Sequence, residues 1–201
     1  MNKDNILGVI LAGGQSQRMG KDKAKLQING VSMLQRNRHL LGECGIQNIV
    51  VCRNQTGYLA DIHLDCGPMG AIHTALFFAQ KREDIEGLMI IPIDMPLLNK
   101  KLINQLIDYD TNNVLQEKTS EGKRDCARYF QSTPLPLFLP NDPSFLPLSE
   151  AVATSKKNRS IKAFLALIDS ESIISRHPEK LINTNDKTQW QHAIDTISDI
   201  H

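Results

Sequence analysis

The chain has 201 residues, 41% of them hydrophobic, with 23 basic against 22 acidic side chains and a formal net charge of +1. That balance excludes electrostatic attraction to nucleic acid or to an anionic membrane as an organising property. The longest unbroken apolar stretch, 88–93, falls far short of the roughly 20 residues of a membrane span, and residues 1–5 are polar with no signal-peptide pattern. The expectation is a soluble, cytoplasmic protein forming one α/β domain over residues 1–201.

In chain order, Ile6–Leu11 (ILGVIL) reads as a strand buried on both faces. Residues 32–41 predict a helix opened by the capping box Ser32–Gln35 and ended by Gly42 and Gly45. A second strand spans 47–52 (QNIVVC), and a helix over 68–80 starts at Pro68. The third buried strand, 87–93 (GLMIIPI), stops at Asp94, and Asn99 caps a helix over 99–109. This β-α-β-α-β-α order predicts a mostly parallel sheet covered by helices on both faces. Further on, 114–116 and 127–131 read as a hairpin around the turn 118–124. The proline-rich 134–147 reads as a loop, 148–156 and 161–168 as helices, 181–183 as a short strand and 186–200 as a helix capped by Thr184 or Asn185.

The four cysteines (44, 52, 66, 126) form no C-x-x-C pair and read as reduced core residues. The six histidines include no i, i+4 pair, so the spacing offers no zinc motif.

The stretch LAGGQSQRMGKDKAKL, 11–26, carries the chemistry. A strand runs into Gly13-Gly14 and a polar loop with Arg18, Gly20, Lys21, Asp22 and Lys23. Glycines at the carboxyl end of a strand bring backbone N–H groups close to an anion, and open α/β sheets bind ligands at that end. Arg18, Lys21 and Lys23 would offset the charge of a triphosphate. The loop is neither a P-loop, because Gly14 to Gly20 is one residue too long and Asp22 replaces Ser or Thr, nor G-x-G-x-x-G. Asp94, in IPIDMP, ends a buried strand at the same sheet edge and suits Mg²⁺. Asp65-Cys66-Gly67-Pro68 opens a helix whose first N–H groups could meet a ligand.

Together these segments resemble the molybdenum cofactor guanylyltransferase family, nucleotidyltransferases of three-layer Rossmann-like fold. The signature loop is Leu11-Ala-Gly-Gly-x-Ser-x-Arg-Met-Gly-x-Asp-Lys23. Gly67-Pro68 resembles the family's G-P-L-A-G, 92–96 (PIDMP) its P-C-D-x-P, Asn183-Thr184 its N-T-P-E, and 157–160 (KNRS) its basic turn. The resemblance implies transfer of GMP from Mg·GTP to molybdopterin with release of pyrophosphate. It implies Arg18, Lys23 and Asp94 as catalytic residues, with Asp94 holding Mg²⁺. It implies nucleotide contacts from Leu11, Ala12, Gly13, Gly14, Lys23, Cys52, Asp65, Gly67, Pro68 and Asp94, and a pterin side formed by Arg159 and Asn183. Molybdenum insertion proteins and apo-molybdoenzymes are the expected transient partners. The sequence departs from the family at Cys52, where an Asn is common and Asn54 stands nearby, at Ala71 in place of the second Gly of G-P-L-A-G, and at Cys126, Leu181 and Asn185. The competing readings are a cytidylyltransferase for the same cofactor and a GTP-binding assembly module without turnover.

Overall fold

A computed structural model describes residues 2–13, 22–108 and 126–198. The central strand β1 (Ile6–Leu11) is buried along its whole length. Its side chains alternate between two cores, as the strand period requires: Ile6 and Ile10 enter one, and Leu7, Val9 and Leu11 the other. Hydrophobic residues at nearly every position follow from burial on both faces.

The sheet runs, edge to edge, β4 (Ile49–Cys52), β1, β5 (Gly87–Pro92), β7 (Thr133–Pro140), β6 (Ala127–Phe130) and β8 (Ser170–Ile173). β1 is parallel to β4 and β5, and β6 to β8, whereas β7 is antiparallel to both its neighbours. Helices α1 (Met33–Glu43), α3 (Lys100–Ile107) and α6 (Lys187–Ser198) cover the Ile10 face. Helices α2 (Gly67–Ala79), α4 (Phe145–Ala153) and α5 (Ile161–Leu165) cover the Val9 face. The result is the three-layer α/β arrangement expected. No helix among the described residues is long and apolar enough to cross a membrane.

The capping box at Ser32 forms in both directions, Gln35 N–H to Ser32 Oγ at 3.2 Å and Ser32 N–H to Gln35 Oε1 at 3.1 Å. Asn99 caps α3 by accepting from Leu102 N–H at 3.1 Å. Three expectations are corrected. Gly42 does not end α1, which continues through Glu43, and the turn falls at Gly45 with φ +87°. Residues 134–147 are not a loop: 133–140 form the sheet strand β7, and α4 begins at Phe145. β7 pairs with β5 only from Leu137 to Pro140, so Pro134 and Pro136 lie beyond that ladder, where a missing N–H costs it nothing. Residues 181–183 form no strand; Leu181 packs into the core while Ile182 and Asn183 are exposed. The eighth strand is instead the polar edge segment 170–173 (SESI), whose composition carries little strand signal. A short hairpin, β2 (Gln27–Ile28) and β3 (Val31–Ser32), was also not anticipated, although Asn29-Gly30 is its signature: both residues take positive φ, +52° and +78°. Residues 114–116 and 118–124 lie outside the described residues; β6, the expected second hairpin arm, pairs with β7 and β8.

Candidate active site

Parallel register brings three strand ends into one line, because Leu11 lies opposite both Cys52 and Pro92. Three connections therefore leave the sheet side by side: Ala12-Gly13, the loop 53–66, and Ile93-Asp94. Ala12 N–H donates to the Cys52 carbonyl at 3.1 Å and Ile93 N–H to the Leu11 carbonyl at 3.1 Å, so Gly13 is the first residue past the ladder. Gly13 does not adopt positive φ, and among the described residues a Cβ there would meet only the Cys52 carbonyl, at 3.8 Å. None of the described residues demands a glycine at this position.

Asp22 caps a short helical turn, 23–25, by accepting from Ala24 N–H at 3.1 Å. The turn points Lys23 across the strand ends, where its ammonium donates to Asp94 Oδ2 and to Asn185 Oδ1, each at 3.0 Å. Thr184 fixes this corner by donating to the Asp94 carbonyl through both its N–H, at 2.8 Å, and its Oγ1, at 3.1 Å. The turn before α6 is thus tied to the tip of β5 through the Asp94 carbonyl, and the carboxylate of Asp94 is left to Lys23.

Beside this corner lies a cleft of about 700 Å³ lined by Leu11 to Gly13, Arg53 to Gln55, Asp61, Leu64, Asp65, Gly67, Pro68 and Ala71. The volume is within the usual range for small-ligand sites. Arg53 grips Asp22 with a two-pronged pair, 3.1 and 2.5 Å, which holds the Asp22 carboxyl below the ordinary range. Asp61 shares two bonds with Asn54, accepting from its Nδ2 at 3.2 Å and donating its own N–H to Oδ1 at 2.7 Å. Its other carboxyl oxygen, Oδ1, is buried without a partner among the described residues, and burial raises the Asp61 pKa. Asp65 is exposed at the cleft with φ +57°, its carbonyl accepting from Arg159 Nη1 at 3.1 Å.

The fold brings together Leu11, Ala12, Gly13, Asp65, Gly67 and Pro68 around the cleft, with Lys23 and Asp94 at its side. Cys52 behaves differently. Its side chain is fully buried, its thiol faces the Ala71 carbonyl at 3.7 Å, and burial, aided by Asp61, pushes its pKa to about 12. Only its backbone carbonyl reaches the strand ends. Arg159 stands against Asp65, at the cleft, and no bond joins it to Asn183. Gly14, Arg18, Gly20 and Lys21 lie outside the described residues. Sequence reasoning missed Asp61, Arg53 and Asn185. The first two sit in an irregular loop without a motif, and the third was noted only as a departure.

A family model for the MobA-like NTP transferase domain matches residues 8–172, which include the glycine-ended strand, the cleft loop and Asp94. The chain belongs to that family. It is 31% identical over 192 residues to a molybdenum cofactor guanylyltransferase of Xanthomonas euvesicatoria, with 93% of each chain covered. Among solved structures, the fold resembles molybdopterin-guanine dinucleotide biosynthesis protein A of Archaeoglobus fulgidus, with a TM-score of 0.69, 16% identity, and coverage of 96% of this chain and 99% of that one. It also resembles a nucleotidyl transferase from Methanothermobacter, with a TM-score of 0.70, 11% identity, and coverage of 98% and 99%. This MobA-like chain is therefore a nucleotidyltransferase-family protein with the family's three-layer α/β fold.

Proposed function

We propose that this protein transfers GMP from GTP to the terminal phosphate of molybdopterin, releasing pyrophosphate and forming the guanine dinucleotide cofactor. The observation that carries the reading is the Lys23–Asp94 pair, 3.0 Å apart at the strand ends beside an open cleft. The kinship with a guanylyltransferase over 93% of both chains supports the choice of GTP and of acceptor.

In the transfer, a phosphate oxygen of the acceptor attacks the α-phosphorus of GTP. The bond from that phosphorus to the bridging oxygen of the β-phosphate breaks, and pyrophosphate leaves with the electron pair. No protein nucleophile is needed, so the residues act by positioning and by charge. Lys23 exchanges its bonds to Asp94 and Asn185 for phosphate oxygens, and Arg18 adds charge from the same loop. Asp94 offers one hard carboxylate that would hold a Mg²⁺ ion, and an ion held there would supply charge neutralisation on the substrate phosphates. Leu11 to Gly13 present backbone to the nucleotide, while Gly67 and Pro68 bring the first turn of α2 against it. Asp61 accepts a hydrogen bond from a nucleotide O–H or N–H, which relieves its unpartnered carboxyl oxygen. Asn183 belongs to the acceptor side, and Arg159 holds the Asp65 turn in place.

The test is transfer of α-labelled GTP to molybdopterin with Mg²⁺, run beside CTP. Labelling from GTP upholds the reading. Labelling from CTP alone makes the protein a cytidylyltransferase, and GTP binding without labelling makes it a module without turnover.

A further inference from the structure

On the outer side of the cleft loop, three ligand-type residues from three separate segments converge. His63 lies in the loop 53–66, His73 in the middle of α2 and Glu150 in α4, and one ligand atom of each lies within 4.8 Å of the others. We propose that His63, His73 and Glu150 bind a divalent ion of the zinc class, with water completing the coordination, and so clamp the cleft loop to α2 and α4.

The local geometry fits such an ion. Ligand atoms on one tetrahedral zinc lie roughly 3.3 Å apart, and two imidazoles on it place their ring centroids roughly 5 Å apart. His63 Nε2 is 3.1 Å from Glu150 Oε1, and the two imidazole centroids are 5.2 Å apart. His73 is preset in its tautomer. Ser149 Oγ donates its single proton to the Leu146 carbonyl at 2.7 Å, so its 3.0 Å bond with His73 Nδ1 must be donated by Nδ1–H. That leaves the lone pair on Nε2 for a ligand, and a bond from the second ring nitrogen is what orients metal-binding histidines. His73 is 3% exposed, so its ring is held in this orientation by the packing around it as well as by that bond. Two nitrogens and one carboxylate oxygen, with Glu150 open to solvent, match a three-ligand site with an open position.

The backbone around the cluster is already braced. Ile62 N–H donates to Thr74 Oγ1 at 2.9 Å, and a Cβ on Gly70 would meet the His63 carbonyl at 2.9 Å. The loop therefore lies directly on α2, and Asp61, Leu64 and Asp65, within two residues of His63, line the nucleotide cleft. An ion at this cluster fixes the cleft wall without touching the strand ends.

The experiment uses the full chain, stripped of metal with a chelator and titrated with Zn²⁺ in the absence of nucleotide, so its outcome is separate from that of the transfer assay. One equivalent of Zn²⁺ binds and raises the thermal midpoint of the parent protein. His63→Gln and Glu150→Gln, at partly exposed positions, retain the far-ultraviolet circular dichroism of the parent, weaken Zn²⁺ binding by roughly ten-fold or more, and lose the thermal shift. Asp94→Asn retains the zinc equivalent. Absence of Zn²⁺ binding overturns the proposal, as does affinity unchanged in His63→Gln; either leaves an ordinary hydrogen-bonded His–Glu contact. A zinc equivalent lost in Asp94→Asn and kept in His63→Gln would place the ion at the strand ends and equally overturn it.

Discussion

Lys23 and Asp94 are separated by 71 positions in the chain, and their side chains meet at 3.0 Å across the ends of β1 and β5. Each is largely but not fully covered, with side-chain exposures of 16% and 20%. In a pair of this kind, a substrate phosphate or a cation can take over either partner without opening the core.

Asp94→Asn is expected to reduce nucleotidyl transfer by at least about a hundred-fold, the scale seen when a preorganised electrostatic contact to the reacting group is lost. Stability should change by no more than about 1 kcal/mol, because a partly exposed pair contributes little and Thr184 bonds to the Asp94 carbonyl, which the substitution leaves in place. Lys23→Met should weaken transfer similarly. Steady-state assays beside thermal unfolding check both; turnover unchanged in Asp94→Asn would remove that residue from the site.

Gly13→Ala should fold with an unchanged thermal midpoint, since its Cβ has 3.8 Å to its nearest neighbour among the described residues and its φ is not positive. Nucleotide affinity is expected to fall about ten-fold or more, because a methyl group would then stand where ligand and backbone approach each other. Calorimetric GTP titration against thermal unfolding separates the two effects.

The raised Asp61 pKa sets a pH dependence. The folded carboxyl holds its proton at a pH where the unfolded one has lost it, so stability falls as pH rises from the ordinary carboxyl value of about 3.9 to the folded value. Above that window the burial penalty on the ionised group is fully in force. Asp61→Asn removes it and can keep the bond to Asn54. The variant should show no gain in thermal midpoint near about pH 3, a gain at neutral pH, and weaker GTP binding throughout.

Thr184→Val, nearly the same in shape, removes the side-chain bond to the Asp94 carbonyl and leaves the backbone bond. Thr184 is 1% exposed, so the Asp94 carbonyl loses a buried partner, and the cost should be about 1 kcal/mol. Because Asn185 follows directly and bonds Lys23, transfer should also slow, with kcat falling more than KM rises. Chemical denaturation and steady-state kinetics check the pair of effects.

The sequence by itself determined what depends on local chemistry. Unbroken apolar runs marked β1 and β5 as doubly covered strands, Ser32 and Asn99 capped their helices, and Ala12-Gly13 and Asp94 marked where β1 and β5 end. Those features are legible because caps, strand burial and glycine turns act over a few residues. Tertiary structure decided the rest. β7 carries prolines that read as loop, and it is a strand because Pro134 and Pro136 fall outside the β5 ladder and Pro140 stands at its end. β8 is too polar to announce itself and exists because β6 offers an edge. Cys52, expected at the nucleotide, turns its thiol into the core, while Asp61 and Arg53 reach the cleft because the loop 53–66 folds back over the end of β4. The histidines show the same limit: no spacing joins residues 63, 73 and 150, and only the packing of α2 against α4 and that loop sets them within reach of one ion.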